Sequence, residues 1–124
     1  MAASAATVRQ VVERYLDLVA TGTADEIVAL FADDATLEDP VGTPARQGAA
    51  ALREFYAALE PLRAETRLVE LRALEGSAAF HFEVTTYVDD ATVTVSPIEV
   101  MTFDDEGRIT SMRAWWGDED MRFG

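Results

Sequence analysis

SAAFHFEVTTYVDDATVTVSPIEVMTF (77–103) holds two long β-type runs around a tight turn. The runs, about 77–88 and 92–103, are rich in Val, Thr, Phe and Tyr, and DDA between them is a turn signal. Outward from this hairpin, runs at about 65–74 and 108–116 have the same character, set off by EGS and DDEGR. Four such runs in succession predict an antiparallel meander. Upstream the period changes from two to that of a helix. Val8, Val11, Val12, Tyr15, Leu18 and Val19 form the apolar stripe of a helix over 7–21, with a capping-box pattern at Thr7 and Gln10 and a stop at Gly22. A second box, Thr23 to Glu26, opens a short helix carrying Ile27, Val28, Leu30 and Phe31, which Asp33 and Asp34 are expected to end. A strand ATLED (35–39) and a Pro/Gly-rich loop (40–48) follow. A third helix is predicted over about 49–59, with Leu52, Phe55, Tyr56 and Leu59 on one face. Helices first and strands afterwards make an α+β domain, with helices laid across one face of a curved sheet.

Phase along the strands singles out a few polar groups. In 92–103, Glu99 shares a face with Val93, Val95, Pro97, Met101 and Phe103. Asp39 shares a face with Leu37 and Ala35, and Tyr15 lies within the first helix's apolar stripe. A buried carboxylate is costly unless paired, and burial favours its protonated form. Two inward acids and an inward phenol therefore make a pocket with a candidate base and two candidate hydrogen-bond donors. Each residue also has a plainer reading: Tyr15 as a core aromatic, Asp39 before Pro40 as a turn starter, and Glu99 turned to solvent by a bulge at Pro97. His81 alternates with Phe80 and Phe82 and shares a face with Glu83, Thr85 and Tyr87, which reads as structural or interfacial. The pair Trp115–Trp116 points to opposite faces, one toward a cavity and one outward.

Composition narrows the chemistry. The chain has 124 residues, 49% of them hydrophobic and 27% charged, which fits one domain over 1–124. It contains no Cys, no Lys and no Asn, and a single His. That excludes thiol nucleophiles, Cys-ligated zinc, Schiff-base lysines, a P-loop lysine and sites of two or three imidazoles. The net charge of −13, with all ten basic residues Arg, opposes binding to nucleic acid or anionic membranes. No apolar run approaches the roughly 20 residues of a membrane span, and the first residues do not read as a secretory signal, so a cytoplasmic location is expected.

At these residues the chain resembles a known family. The segments ERYLDLV (13–19), FADDATLEDPVG (31–42), REFYAAL (53–59), PIEVMTFDDEGRI (97–109) and MRAWWGDE (112–119) resemble the bacterial steroid Δ5-isomerases, or ketosteroid isomerases, of the NTF2-like superfamily. The resemblance runs almost end to end. It implies an NTF2-like cone: three N-terminal helices on a curved, mostly antiparallel sheet enclosing an apolar pocket. It implies Asp39 as the general base that moves a proton from C4 to C6 of a Δ5-3-ketosteroid. Tyr15 and Glu99 would form the oxyanion hole, and Tyr56 would stand behind Tyr15. Phe82, Trp116, Val84 and Met101 would line the steroid pocket. Ketosteroid isomerase is itself the standard example of a carboxylic acid kept neutral to donate a hydrogen bond, and that logic arrives with the resemblance. No cofactor and no metal would be needed, the partner would be a steroid, and the outer sheet face would form a homodimer. Glu99 stands where the family usually has Asp, and Phe31 where some relatives carry a third tyrosine. The other readings are a SnoaL-like polyketide cyclase using a single acid base, and a non-catalytic module that binds an apolar small molecule.

Overall fold

Helix α1 (Ala5–Thr21) turns Val8, Val12, Tyr15, Leu16 and Leu18 inward, as its helical spacing requires. The computed structural model describes residues 2–124. The N-cap is Ser4 rather than the expected Thr7: its side chain accepts from the Thr7 amide at 3.2 Å, so the helix starts a turn earlier. Helix α2 (Ala24–Val28) has the predicted capping box, with Thr23 and Glu26 satisfying each other's amides. It is shorter than expected. Phe31, Asp33 and Asp34 belong to the next strand, β1 (Phe31–Glu38), because the Ile109 amide donates to the Leu30 carbonyl and Phe31 pairs with Ile109. The two aspartates fall in the register shift between Phe31 and Thr36, where both are exposed. Within the loop, a two-residue strand β2 (Arg46–Gln47) pairs with β1, and α3 (Ala49–Leu59) follows as predicted.

The remaining strands are β3 (Arg63–Leu74), β4 (Ser77–Val88), β5 (Ala91–Val95), β6 (Ile98–Phe103), β7 (Ile109–Trp115) and β8 (Met121–Phe123). Strand β4 is the hub, with β3 on one edge and β5 and β6 in succession on the other. The expected run 92–103 is thus two strands in line, parted at Ser96–Pro97 because Pro97 has no amide for the ladder. Pairing is antiparallel except between β1 and β7. Strand β8, which residue pattern did not flag, pairs with β5 at the sheet's far edge.

The helices cover the concave face. Leu37, Leu52, Phe80, Met101, Ile109 and Met112 are completely enclosed between helices and sheet, with Val8 and Val12 from α1. This is the α+β arrangement that the order of helical and strand patterns predicts. Among the described residues, no helix is long and apolar enough to cross a membrane.

Candidate active site

The parallel pairing of β1 and β7 brings Asp39 and Trp116 together. Glu38 is in register with Arg113, and the Val41 amide donates to the Ala114 carbonyl at 2.7 Å, so the residues that follow the two strands sit side by side. The Trp116 indole Nε1–H donates to Asp39 Oδ1 at 2.6 Å. Asp39 is half-buried. Burial pushes its carboxyl above the ordinary range, while the Trp116 hydrogen bond and the Arg46 charge pull it back.

Tyr15, on α1, and Tyr56, on α3, meet hydroxyl to hydroxyl at 2.8 Å, both buried. Their rings are edge-on, centroids 6.3 Å apart, and Phe31 packs against both at 6.3 and 6.1 Å. Phe31 therefore occupies the corner of this aromatic triangle and adds no hydroxyl to it. Burial and the nearby acid Glu99 raise both phenols well above their ordinary value, so both stay protonated and both can donate.

Glu99 sits in β6 between Phe80 on one neighbouring strand and Ala114 on the other. Its phase is inward. The break at Pro97 parts the ladder without flipping the faces, because Pro97 itself is buried as the alternation requires. Glu99 is 2% exposed, and its Oε1 has no hydrogen-bond partner among the described residues. Burial, then the charge of Asp39, hold the carboxyl well above the usual carboxylate range. This environment favours the neutral acid, and an unsatisfied buried oxygen is a cost that a hydrogen-bonding ligand in the cavity would relieve.

These groups face one cavity of about 280 Å³, close to the lower end of the range for small-molecule sites, about 300–1,000 Å³. Tyr15, Tyr56, Glu99, Asp39 and Thr86 are the polar residues of its lining other than Trp116, and Phe82, Val84 and Trp116 line it as well. Val19, Phe55, Leu59, Leu62 and Val95 complete the apolar wall. Leu59 and Leu62 are exposed at 46% and 40%, which places the open side at the end of α3. Met101 is not part of this wall. It is fully enclosed in the core, beneath the cavity floor that Glu99 forms two residues earlier in the strand. Trp116 faces the cavity, whereas Trp115 is 43% exposed on the outer face, as expected for a tandem pair on a strand. His81 also lies on the outer side, its Nε2 2.7 Å from Ser96 Oγ, away from the acids. Among the described residues, no group of three or more acidic or imidazole side chains is placed to hold a metal ion.

Comparison with known proteins gives the family. Residues 12–112 match the model of the SnoaL-like domain. The steroid Delta-isomerase of Nocardioides simplex is 53% identical over 116 residues, 94% of each chain. This chain belongs to the steroid Δ-isomerases of the SnoaL-like family. A solved structure of an epoxide hydrolase/cyclase-like enzyme, SalBIII, described for pyran ring formation in the polyether salinomycin, superposes with a TM-score of 0.85. It is 31% identical, over 92% of this chain and 93% of that one. Both SnoaL-like relatives thus span nearly the full length of the cone.

Some features of this SnoaL-like site had no signal in the sequence. Arg46 stacks over Phe55, its Cζ 5.0 Å from the ring centroid, and its charge acts on Asp39. It lies in a loop without periodicity. Leu62 falls in the turn after α3, where an apolar residue reads only as a helix end. The direct Trp116–Asp39 hydrogen bond depends on the parallel β1–β7 pairing, which no local pattern announces.

Proposed function

We propose that this chain converts Δ5-3-ketosteroids to Δ4-3-ketosteroids through Asp39, Tyr15 and Glu99. Asp39 takes a proton from C4, and the C–H electron pair moves toward the C3 oxygen to give a dienolate. Collapse of the dienolate restores the carbonyl as C6 takes the same proton back, leaving the double bond between C4 and C5. With Oδ1 of Asp39 bound to Trp116, Oδ2 is the oxygen left for proton transfer. Tyr15 and the protonated Glu99 donate to the developing oxyanion. The two hydroxyls lie 2.8 Å apart, and with substrate bound the mechanism has Tyr56 donate to Tyr15, which leaves the Tyr15 proton for the substrate. Donors fixed in a dry site cost no reorganisation as charge develops, and such stabilisation is usually the largest single contribution to catalysis. Phe82, Val84 and Trp116 hold the apolar rings of the steroid.

The observation that carries this reading is Glu99, buried beside Tyr15 in an apolar cavity with an unpaired oxygen, across from a more exposed acid. A binding module would not need a base and two donors to converge on one cavity. A second reading, acid–base ring closure on a polyketide, is favoured by the structural likeness to the SalBIII enzyme. The higher identity to a steroid Delta-isomerase favours the first. Incubation with 5-androstene-3,17-dione, followed by ultraviolet absorbance of the conjugated enone, separates them. Rapid, enzyme-dependent growth of the enone band is expected, and a rate equal to the buffer control refutes the isomerase reading.

The outer sheet face is proposed as the homodimer interface. Ile98 and Trp115 are cross-strand partners there, 51% and 43% exposed, beside an open groove.

A further inference from the structure

Asp39 is a partly buried acid that must be ionised to act as a base, and the charges around it decide how far it is. Glu99 from β6 faces it across the cavity, and Tyr15 and Tyr56 from α1 and α3 present neutral phenols. Glu38 and Arg113, on the opposite face of β1 and β7, neutralise each other in an ion pair of 2.9 Å. Arg46 is left as the positive charge acting on Asp39.

Its placement is built rather than incidental. Arg46 is in register with Leu37, and directly paired residues of antiparallel strands project to the same face. That is the face of Leu37, which Asp39 shares two residues on. Arg46 is exposed on a two-residue edge strand, yet its guanidinium is seated over the ring of Phe55, a cavity-lining residue. Among the described residues it is one of three arginines without a carboxylate ion pair, with Arg9 and Arg14, and of these three it is the one seated over an aromatic ring. In a chain of net charge −13, an unpaired guanidinium on an aromatic shelf beside the base is conspicuous.

We propose that Arg46 is a positioning residue of the isomerisation: seated on Phe55 at the cavity rim, its guanidinium holds Asp39 in the ionised, proton-accepting form. This rests on the reading of Asp39 as the base. Phe55 then does two things at once, lining the cavity with one part of its ring and fixing the guanidinium with its face. The charge costs the base some proton affinity, so its benefit belongs to the acid side of the pH range.

The test is the pH dependence of kcat/KM for 5-androstene-3,17-dione in wild type, Arg46→Gln, Arg46→Lys and Phe55→Leu. Arg46→Gln is expected to move the acid limb up by about half a unit at low salt, a Coulombic effect of one charge in a wet rim. The high-pH plateau stays within about twofold of wild type or rises slightly, because a less acidic Asp39 is the stronger base. Arg46→Lys keeps most of the wild-type limb, and Phe55→Leu moves it part of the way. Raising the salt to about 1 M shrinks the screening length to about 3 Å; it screens the −13 background of every variant alike, so the expected result is that the gap between the wild-type and Arg46→Gln limbs closes. Phe55→Leu unseats the guanidinium while leaving Arg46 in the chain, so poor folding of Arg46→Gln leaves the proposal exposed. An acid limb unmoved by Arg46→Gln and by Phe55→Leu, or a gap between variant and wild type that salt does not close, overturns the role of Arg46. Loss of rate at every pH with an unmoved limb does the same, since it marks a purely structural arginine. An Asp39→Asn enzyme with full turnover would instead remove the base reading, an outcome distinct from either.

Discussion

In the proposed mechanism Asp39, Tyr15 and Glu99 divide the work by environment rather than by residue type. Two carboxyl groups face the same cavity, but one is half-exposed and hydrogen-bonded to an indole, and the other is enclosed and unpaired. Their proton affinities are driven apart, which is how one site obtains a base and an acid from similar groups. Asp39→Asn should keep the fold and lose about 10²–10⁴-fold in kcat, because the amide cannot accept the α-proton. Near wild-type turnover in that variant would eliminate the assignment. Tyr15→Phe should cost about 10²–10³-fold in kcat, and more than Glu99→Gln, since Gln keeps an N–H to donate. Equal losses, or a silent Tyr15→Phe, would mean that the substrate oxygen sits elsewhere. Glu99 also leaves a mark on stability. Its folded-state proton affinity is raised above the ordinary value of 4.5, so the folded state binds more protons than the unfolded one in the window above that value. Stability therefore falls as pH rises through that window, up to the raised folded-state value. Glu99→Gln should flatten this dependence, and its stability relative to wild type should rise steadily from pH 4 to neutrality in urea titrations. A stability difference independent of pH would show that Glu99 titrates normally.

At the scale of elements, the sheet and helices serve to aim these side chains. Helix α3 carries Tyr56 and Phe55 toward the cavity and anchors itself through Leu52, which is fully buried. Leu52→Ala should destabilise the protein by about 2–5 kcal/mol. The measurement is chemical denaturation, and a loss below about 1 kcal/mol would show that α3 is held by something other than this contact. How much of this was legible beforehand follows from what each feature depends on. The inward phase of Glu99 was readable because alternation persists through Pro97; the division into β5 and β6 was not, since the pattern continues across the break. Tyr15 and the Thr23–Glu26 box were readable from helical spacing and local capping. Phe31, Asp33 and Asp34 were misplaced because the strand there is made by distant pairing with β7 and interrupted by a register shift, so its alternation is broken. The roles of Tyr15, Asp39 and Glu99 came from family resemblance, since spacing alone also allowed core or turn readings. Met101 shares the strand face of Glu99, but at that depth the face belongs to the core and not to the cavity.

The whole molecule is a cone whose concave side is filled by helices, leaving one cavity that meets all four polar groups of the site. Its convex side is a sheet face with exposed Ile98 and Trp115, and the proposed homodimer would cover them. Ile98→Glu is expected to convert the protein to monomer in light scattering after size exclusion, with the fold retained by circular dichroism. A wild-type protein that is monomeric at the same concentration contradicts that interface. The proposed oxyanion hole requires that Glu99 carry a proton while facing the cavity. Infrared difference spectra between wild type and Glu99→Gln, recorded across pH and with a bound phenolic steroid such as equilenin, measure this most directly. The account predicts a protonated-carboxyl band at neutral pH that is absent from Glu99→Gln and shifts when the phenol binds. A Glu99 carboxyl that ionises near its ordinary value of 4.5 would contradict it.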